Sequence, residues 1–65
     1  MKILVNGAWR ETDSADLGAV LQEMGYGDAV VATAVNGEFV PAALRPTARL
    51  TDGDRIEVLA PMQGG

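Results

Sequence analysis

The sequence predicts an α+β domain in which a mixed sheet of four to five strands packs against a single helix. Three observations lead to this prediction. Asn-Gly dipeptides at Asn6-Gly7 and Asn36-Gly37 join strand-like segments, one stretch between them has helical periodicity, and residues 55–59 alternate again. Hairpins combined with one helix are typical of α+β domains. With 65 residues, 48% of them hydrophobic, the chain has room for one such domain.

The opening segment predicts a β-hairpin. Residues 1–5, MKILV, form a strand by alternation, with the odd-numbered side chains on one face and Lys2 and Leu4 on the other. Asn6-Gly7 favours a two-residue hairpin turn because both positions tolerate positive φ. Residues 8–12 are the predicted second strand.

The next segment predicts one amphipathic helix. Its apolar positions follow the i, i+3, i+4, i+7 pattern and are Leu17, Val20, Leu21 and Met24. Asp13 or Ser14 is the predicted N-cap, since either side chain can accept a hydrogen bond from a free backbone N–H. Asp16 suits the positive end of the helix dipole, and Gly25 lies where a left-handed C-terminal cap belongs. We therefore expect the helix to bury this stripe in the core.

The second half of the chain predicts another hairpin, a loop and a last strand. The segment AVVATAVNGEFV contains a third strand, the Asn36-Gly37 turn and a short fourth strand that ends before Pro41. Two prolines within residues 41–50 indicate a loop with a helical turn, and Asp52-Gly53 indicates a tight turn. In the last strand, the residues expected inward are Ile56 and Val58, and those expected outward are Arg55, Glu57 and Leu59.

The order of these elements predicts the topology of the sheet. The helix serves as a crossover between the two hairpins, so the first and last strands can lie side by side and parallel. This arrangement is the β-grasp, or ubiquitin-like, fold. Residues 1–59 are the predicted β-grasp domain. Residues 60–65 are a predicted flexible tail, because Pro61 cannot donate to a sheet ladder.

Composition narrows the classes of partner. Nine acidic and five basic residues give a net charge of −4, which argues against nucleic acid and against anionic membrane surfaces. No apolar run reaches membrane-spanning length, and the opening residues lack the apolar segment of a signal peptide, so we expect a cytoplasmic protein. With no cysteine and no histidine, disulfides and the usual zinc sites are excluded, and no metal site is expected.

The sequence lacks the side chains of an enzyme active site. Ser14 is the only serine, and there is no histidine or cysteine to activate it or replace it. Asp52 and Asp54 flank a glycine and indicate a turn rather than a metal site. The three aromatic residues are Trp9, Tyr26 and Phe39, and we expect them to contribute packing rather than to stack on a ligand. The predicted protein is therefore not an enzyme and binds no cofactor of its own.

The last residues, APMQGG, offer a different chemistry. Residues 61–65 can extend by at most roughly 17 Å, which is enough to enter the active site of a partner. Gly64 and Gly65 have no side chain to obstruct a narrow channel, and a glycine carboxylate is open to activation and nucleophilic attack. Met62 and Gln63 would precede them in the channel, Met62 as an adaptable apolar contact.

The whole chain resembles the sulfur carriers of thiamine biosynthesis, the ThiS family. The resemblance rests on MKILVNG, on ADLGAVLQEMG in the helix, on VNGEFVP followed by DGDRIEVL, and on the final QGG. It implies that a ThiF-type adenylyltransferase uses ATP and magnesium to convert the carboxylate of Gly65 to an acyl-adenylate. A persulfide supplied through a cysteine desulfurase then displaces AMP and leaves a thiocarboxylate. A ThiG-type thiazole synthase takes that sulfur into the thiazole ring.

Strand alternation adds a candidate docking surface for these partners. Leu4, Ala34 and Leu59 face outward on three neighbouring strands, and Arg55 lies at their rim. An exposed apolar patch beside the tail suits a transient partner. The alternative is that these are isolated surface apolar residues of the ordinary kind.

Three other functions share the predicted fold and tail. The small subunit of molybdopterin synthase, or another sulfur carrier, would use both in the same way. A ubiquitin-like modifier would be joined through Gly65 to lysines of target proteins. A plain binding module would make no use of Gly64 and Gly65, so their deletion would leave its function unchanged.

Overall fold

The computed structural model describes residues 1–27 and 29–60, which contain five strands, one α-helix and one 3₁₀ helix. The strands are β1 (Lys2–Val5), β2 (Ala8–Glu11), β3 (Ala32–Val35), β4 (Glu38–Val40) and β5 (Arg55–Leu59); the helix α1 is Leu17–Glu23, and the 3₁₀ helix is Ala42–Thr47. Every predicted element is present, and the strand ends differ from the predicted ends by a few residues at most. No helix among these residues has the length and apolar character needed to cross a membrane.

The five strands form one mixed sheet in the order β2-β1-β5-β3-β4. β1 and β5 are parallel neighbours, with Leu4 opposite Arg55 and Val5 opposite Ile56, and the other pairs are antiparallel. The predicted parallel pairing of the first and last strands is confirmed. It places β5 at the centre of the sheet, although β5 comes last in the sequence.

Both Asn-Gly turns have the backbone conformation that this dipeptide predicts. The angle φ is 49° at Asn6 and 83° at Gly7, and it is 51° at Asn36 and 85° at Gly37. Two consecutive residues with positive φ are the signature of a type I′ hairpin turn. The tight turn before β5 is also confirmed, since Gly53 has a φ of 89°.

The helix begins later than its predicted N-cap residues. Asp16 is the N-cap, and its Oδ1 accepts a hydrogen bond of 2.8 Å from the backbone N–H of Ala19. The prediction that Asp13 or Ser14 caps the helix is therefore wrong. The Ser14 hydroxyl instead donates to Oε1 of Glu23 at 2.8 Å.

A short backbone pairing explains this later start. Asp16 forms an isolated antiparallel bridge with Arg49, and beside the bridge the N–H of Leu50 donates to the carbonyl of Ala15 at 2.9 Å. The φ of −135° and ψ of 164° at Asp16 are extended. Because the chain stays extended through this bridge, it winds into a helix only from Leu17 onward.

The helix ends at a glycine, as predicted. Gly25 has a φ of 88°. Its N–H donates to the carbonyl of Gln22 at 3.1 Å, and the N–H of Tyr26 donates to the carbonyl of Leu21 at 2.8 Å. These two bonds form a Schellman cap, which satisfies carbonyls that would otherwise lack a helical partner.

The core lies between α1 and one face of the sheet. Its buried hydrophobic residues are Ile3 and Val5 of β1, Ile56 and Val58 of β5, Leu17, Val20 and Leu21 of α1, and Leu50. The predicted inward positions of β5 and the predicted helical stripe are confirmed, with Met24 partly buried at the edge of this core. Side chains on the opposite face of the sheet are exposed or half-buried, and we call it the open face.

The segment after β4 is a loop with a helical turn, as predicted, and a buried threonine anchors it. Nε of Arg45 in the 3₁₀ helix donates to Oγ1 of Thr33 at 3.0 Å, and this hydroxyl donates to the carbonyl of Val40 at 2.8 Å. Thr33 is only 2% exposed, so the hydroxyl that joins these two bonds is buried. The 3₁₀ helix packs against α1 and therefore lies on the side of the sheet away from the open face.

Candidate functional site

The four predicted docking residues all lie on the open face. Leu4 is opposite Arg55 in the parallel pair of β1 and β5, while Ala34 and Leu59 lie on β3 and β5. Leu59 is 67% exposed, and Leu4 is half-buried. Along β5, however, Arg55 and Leu59 are separated by roughly 13 Å, the rise of four residues in a strand. The predicted surface therefore consists of two patches.

The patch nearer the end of β5 is the more apolar of the two. It consists of Ala32, Ala34, Phe39 and Leu59. In the strand register, Ala32 is opposite Leu59 and Ala34 is opposite Phe39. These side chains surround a shallow depression of about 110 Å³, with Glu57 at its edge. We call these four apolar residues the exit patch, because β5 leads from it towards Gly65.

The second patch lies at the start of β5 and combines an aromatic ring with cationic groups. Trp9 is opposite Leu4 in the pair of β1 and β2. The ammonium of Lys2 lies 5.9 Å from the centre of the Trp9 ring, a distance at which cation–π attraction operates. Arg55 is exposed beside Leu4. This patch therefore combines apolar and cationic side chains, and the exposed Glu11 opposite Lys2 adds an acidic one.

The expected packing role of the aromatic residues is correct for one of the three. Tyr26 is partly buried against the core, but Trp9 and Phe39 are 59% and 69% exposed. The prediction is wrong for these two because the register places them opposite the outward-facing residues Leu4 and Ala34. The signal that could have found them is the alternation of β1 and β3 carried across each two-residue turn.

Both Asn-Gly turns contribute more than a chain reversal, since each asparagine side chain bonds to β5. Oδ1 of Asn6 accepts from the N–H of Val58 at 2.8 Å, and Nδ2 of Asn6 donates to the carbonyl of Val58 at 3.1 Å. Oδ1 of Asn36 accepts from the N–H of Arg55 at 3.0 Å. A side-chain amide therefore holds β5 near each end. The sequence predicts these asparagines as turn formers, and no local pattern in it indicates their bonds to β5.

Two aspartates stabilise the turn that precedes β5, which is the role predicted for them. Asp54 accepts hydrogen bonds from the N–H of Thr51 at 2.8 Å and from Nδ2 of Asn36 at 3.0 Å. Partial burial acts to raise the pKa of Asp54, but the bonds from Thr51 and Asn36 outweigh it and hold this pKa below its ordinary value. Asp52 accepts from the N–H of Lys2 at 2.8 Å. In the described part of the chain, no three metal-ligating side chains lie close enough together to hold a cation.

The remaining predicted site residues, Met62, Gln63, Gly64 and Gly65, lie outside the described residues. The structure describes the strand that leads to them, up to Leu59 on the open face and Ala60 beyond it. The described part of the site therefore consists of the two patches and the three hydrogen bonds by which two asparagine side chains hold β5.

Comparison with known proteins identifies the family. The family model described as the ThiS family matches residues 3–65, nearly the whole chain. The chain belongs to the ThiS family. A curated relative, the sulfur carrier protein ThiS of Thermus thermophilus, is 40% identical over 63 residues, which cover 97% of this chain and 98% of the relative.

Solved structures of the same family share the fold. The crystal structure of a thiamine biosynthesis protein, ThiS, from Geobacter metallireducens superposes with a TM-score of 0.83 at 29% sequence identity, and the alignment covers all of both chains. The NMR solution structure of a thiamine biosynthesis protein from the same organism gives a TM-score of 0.78 at 28% identity, covering all of this chain and 88% of the other. The predicted β-grasp fold is confirmed.

Family membership also establishes the function at a coarse level. ThiS proteins are sulfur carriers of thiamine biosynthesis, and such a carrier is not itself a catalyst. The predicted membership of the ThiS family is confirmed. The prediction that the protein is a carrier is confirmed at this coarse level.

Proposed function

We propose that Gly65 carries sulfur as a thiocarboxylate and delivers it to the thiazole ring of thiamine. The observation that supports this most directly is the ThiS family match, which extends through QGG to Gly65. A glycine carboxylate is unhindered, and Gly64 adds no side chain beside it. Met62 and Gln63 would contact the partner's channel ahead of this pair, and the partner enzymes would supply the catalytic groups.

The proposed chemistry takes place at the carboxyl carbon of Gly65. Its carboxylate attacks the α-phosphorus of ATP and releases pyrophosphate, which gives an acyl-adenylate; a ThiF-type adenylyltransferase binds the ATP and magnesium. The terminal sulfur of a protein persulfide, supplied through a cysteine desulfurase, then attacks the carbonyl carbon, and AMP leaves. A thiol cleaves the resulting sulfur–sulfur bond by exchange, so that the thiocarboxylate is released and a disulfide remains on the partner side.

A ThiG-type thiazole synthase is the proposed acceptor of the sulfur. Once the sulfur has been transferred and the carbonyl carbon has gained an oxygen from water, Gly65 is a carboxylate again. The carrier is then ready for another activation. It behaves as a co-substrate of both enzymes, in agreement with the absence of an activated nucleophile from its sequence.

We assign the docking of both enzymes to the open face. Leu59 and Phe39 of the exit patch expose large apolar side chains close to the strand that leads to Gly65, and removal of such surface from water favours association. Leu4 and Arg55 in the second patch would contact the partner at the rim of the interface. Because both enzymes would use one face, we expect them to bind the carrier in turn.

The intact mass of the protein tests this proposal. The chain would be incubated with a ThiF-type enzyme, a cysteine desulfurase, ATP and cysteine. We expect a species heavier by the difference between one sulfur and one oxygen atom, localised to Gly65 by fragmentation. A chain that lacks Gly65 is the matched control, and it should keep its original mass.

Other outcomes would contradict the proposal in distinct ways. An unmodified mass after all components are added would leave a β-grasp binding module. Covalent conjugates larger than the free chain on a denaturing gel would indicate a protein modifier. A thiocarboxylate that is accepted by molybdopterin synthase and refused by thiazole synthase would keep the carrier chemistry and change the pathway.

A further inference from the structure

We propose that Asn6 is a positioning residue for the tail, because it holds the end of the strand that residues 60–65 follow in the sequence. This inference rests on the proposed function of Gly65 and adds a role that the turn conformation of Asn6 alone does not require. It concerns a residue far from Gly65 in the sequence and directly beside the end of β5 in the fold.

The backbone pairing of β1 with β5 stops before β5 does. The last residues opposite each other are Val5 and Ile56. The N–H of Asn6 still donates to the carbonyl of Ile56 at 3.0 Å, but the φ of 49° at Asn6 turns the chain away into the hairpin. Val58 therefore has no backbone partner on the β1 side of the sheet.

The amide of Asn6 takes the place of the missing strand. Alternate residues of a strand direct their N–H and C=O groups to the same neighbouring strand. The N–H and C=O groups of Val58 therefore point to the β1 side of β5, as those of Ile56 do. There Oδ1 of Asn6 accepts from the N–H of Val58, and Nδ2 donates to its carbonyl, at 2.8 and 3.1 Å. One side chain therefore satisfies both polar groups of Val58, which is itself only 6% exposed.

Asparagine combines the two properties that this position needs. It tolerates the left-handed conformation better than most residues, and its primary amide carries both a donor and an acceptor. Glycine would allow the same turn without any side-chain bond. The change Asn6→Gly therefore removes the contact with Val58 and leaves the type I′ turn available.

Loss of this contact should loosen the point from which the tail starts. The N–H and C=O groups of Val58 would then lose their partner, and the end of β5 would be held by Leu59 alone, which lies opposite Ala32 on β3. In the complex with the activating enzyme, each residue that must be ordered again lowers the rate by on the order of tenfold. We therefore expect slower activation of Gly65, although the exit patch is unchanged in sequence.

Asn36 provides a matched control within the same chain. It occupies the same place in the other Asn-Gly turn, with a φ of 51°, and its Oδ1 bonds to the N–H of Arg55 at 3.0 Å. This bond holds the start of β5, at the end of the strand away from the tail. Asn36→Gly therefore removes a comparable bond to β5 without loosening the point where the tail begins.

Amide hydrogen exchange tests the structural part of the proposal. In Asn6→Gly, the N–H of Val58 should exchange roughly tenfold faster or more, because a hydrogen bond of this kind contributes about that factor. The N–H of Ile56 serves as the internal reference. In Asn36→Gly, Val58 should keep its wild-type exchange rate, and the N–H of Arg55 should exchange faster. Unchanged exchange at Val58 in Asn6→Gly would overturn the proposal.

Pyrophosphate release by a ThiF-type enzyme with ATP tests the functional part, measured over a range of carrier concentrations. A variant that is merely less stable has a smaller folded fraction, which raises the apparent KM and leaves kcat unchanged. A loosened strand end lowers kcat instead, because the complex forms but the carboxylate reaches its reactive position less often. We expect kcat for Asn6→Gly to fall roughly tenfold and kcat for Asn36→Gly to equal that of wild type.

The outcomes separate this inference from the function on which it rests. If wild-type carrier supports no pyrophosphate release, the proposed function fails, and the positioning role fails with it. If wild type is active and Asn6→Gly has the same kcat, only the positioning role is overturned. An equal fall of kcat in both glycine variants would also overturn it, since the effect would then come from β5 as a whole.

Discussion

Glu23, at the end of α1, connects the helix to the chain that follows β2. Its Oε1 accepts from the hydroxyls of Thr12 and Ser14 at 2.7 and 2.8 Å, and its Oε2 lies 3.3 Å from an amino group of Arg10. Hydrogen bonds from Thr12 and then Ser14, with the charge of Arg10, hold the pKa of Glu23 below its ordinary value. The ionised form is therefore the one that stabilises the fold.

The contribution of Glu23 to the free energy of unfolding should decrease as the pH is lowered. Because its pKa is lower in the folded state, the contribution is fully present above the ordinary value of 4.5 and is lost as the pH falls through the folded-state pKa. Glu23→Gln should lower the free energy of unfolding at neutral pH and should flatten its decline below that value. Urea denaturation from neutral to acidic pH measures both effects.

The matched control for this experiment is Glu38→Gln, which neutralises an exposed glutamate of β4. Because this variant keeps Glu23 and its bonds from Thr12 and Ser14, the decline in stability at acidic pH that Glu23 causes should remain. If Glu23→Gln and Glu38→Gln gave the same curve, the hydrogen bonds from Thr12 and Ser14 would contribute nothing measurable.

Single residues were predicted well where a local rule applies and poorly where a distant partner decides. The positive φ of Asn6 and Gly25 follows from their neighbours in the sequence, and both predictions are confirmed. The amide bonds from Asn6 to Val58 join residues 52 positions apart. No local pattern contains that information, because it arises from the parallel pairing of the first and last strands.

At the scale of elements, the start of α1 depends on one carboxylate. Asp16→Ala removes the acceptor of the Ala19 N–H and should lower the free energy of unfolding by about 1 kcal/mol, the usual value of an N-cap. Asp13→Ala is the control, because Asp13 was the expected cap and lies outside the helix. We expect that change to stay within roughly 0.5 kcal/mol of wild type, as for most surface substitutions. Chemical denaturation of both variants decides between these two caps, and equal effects would contradict the assignment.

The elements themselves could be predicted because each has a signal of its own. The helical stripe, the two Asn-Gly turns and the alternation of β5 all lie within short windows of sequence. The exact start of α1 could not be predicted in this way. It depends on the bridge from Asp16 to Arg49, which holds the chain extended and joins residues that are distant in the sequence. Capping chemistry alone made Asp13 and Ser14 equally good candidates.

At the scale of the whole molecule, the open face and the helical face should respond differently to the same substitution. Leu59→Glu places a charge in the exit patch, and we expect kcat/KM for activation by a ThiF-type enzyme to fall roughly tenfold or more. Leu44→Glu is the control, because Leu44 is 54% exposed and belongs to the 3₁₀ helix on the other side of the sheet. Its activation rate should match that of wild type.

This comparison needs a check that both variants are folded, for which circular dichroism and urea denaturation suffice. Wild-type activation of folded Leu59→Glu would exclude the exit patch as the docking surface. Equal losses in Leu59→Glu and Leu44→Glu would mean that the added charge acts through the whole molecule and not through one face.

The docking surface was predicted in part, for a reason that belongs to the sheet as a whole. Alternation along single strands was enough to place Leu59 and Ala34 on the open face. Phe39 and Trp9 were missed because the alternation of β1 and β3 was not carried across the two-residue turns to the partner strands, where the register places them opposite Ala34 and Leu4. The separation into two patches follows from the length of β5 and could not be read from the residue types.

The central position of β5 has a consequence for the order in which the molecule is made. Among the strands that the structure describes, β1 is joined to the β3–β4 hairpin only through β5, so a nascent chain that has not reached residue 55 holds two separate hairpins and no continuous sheet. The folded surface that an activating enzyme would bind appears only after the strand leading to Gly65 has been synthesised. Prematurely terminated copies without β5 would therefore be left unfolded for proteolysis, and they would not compete with finished carriers for the enzyme.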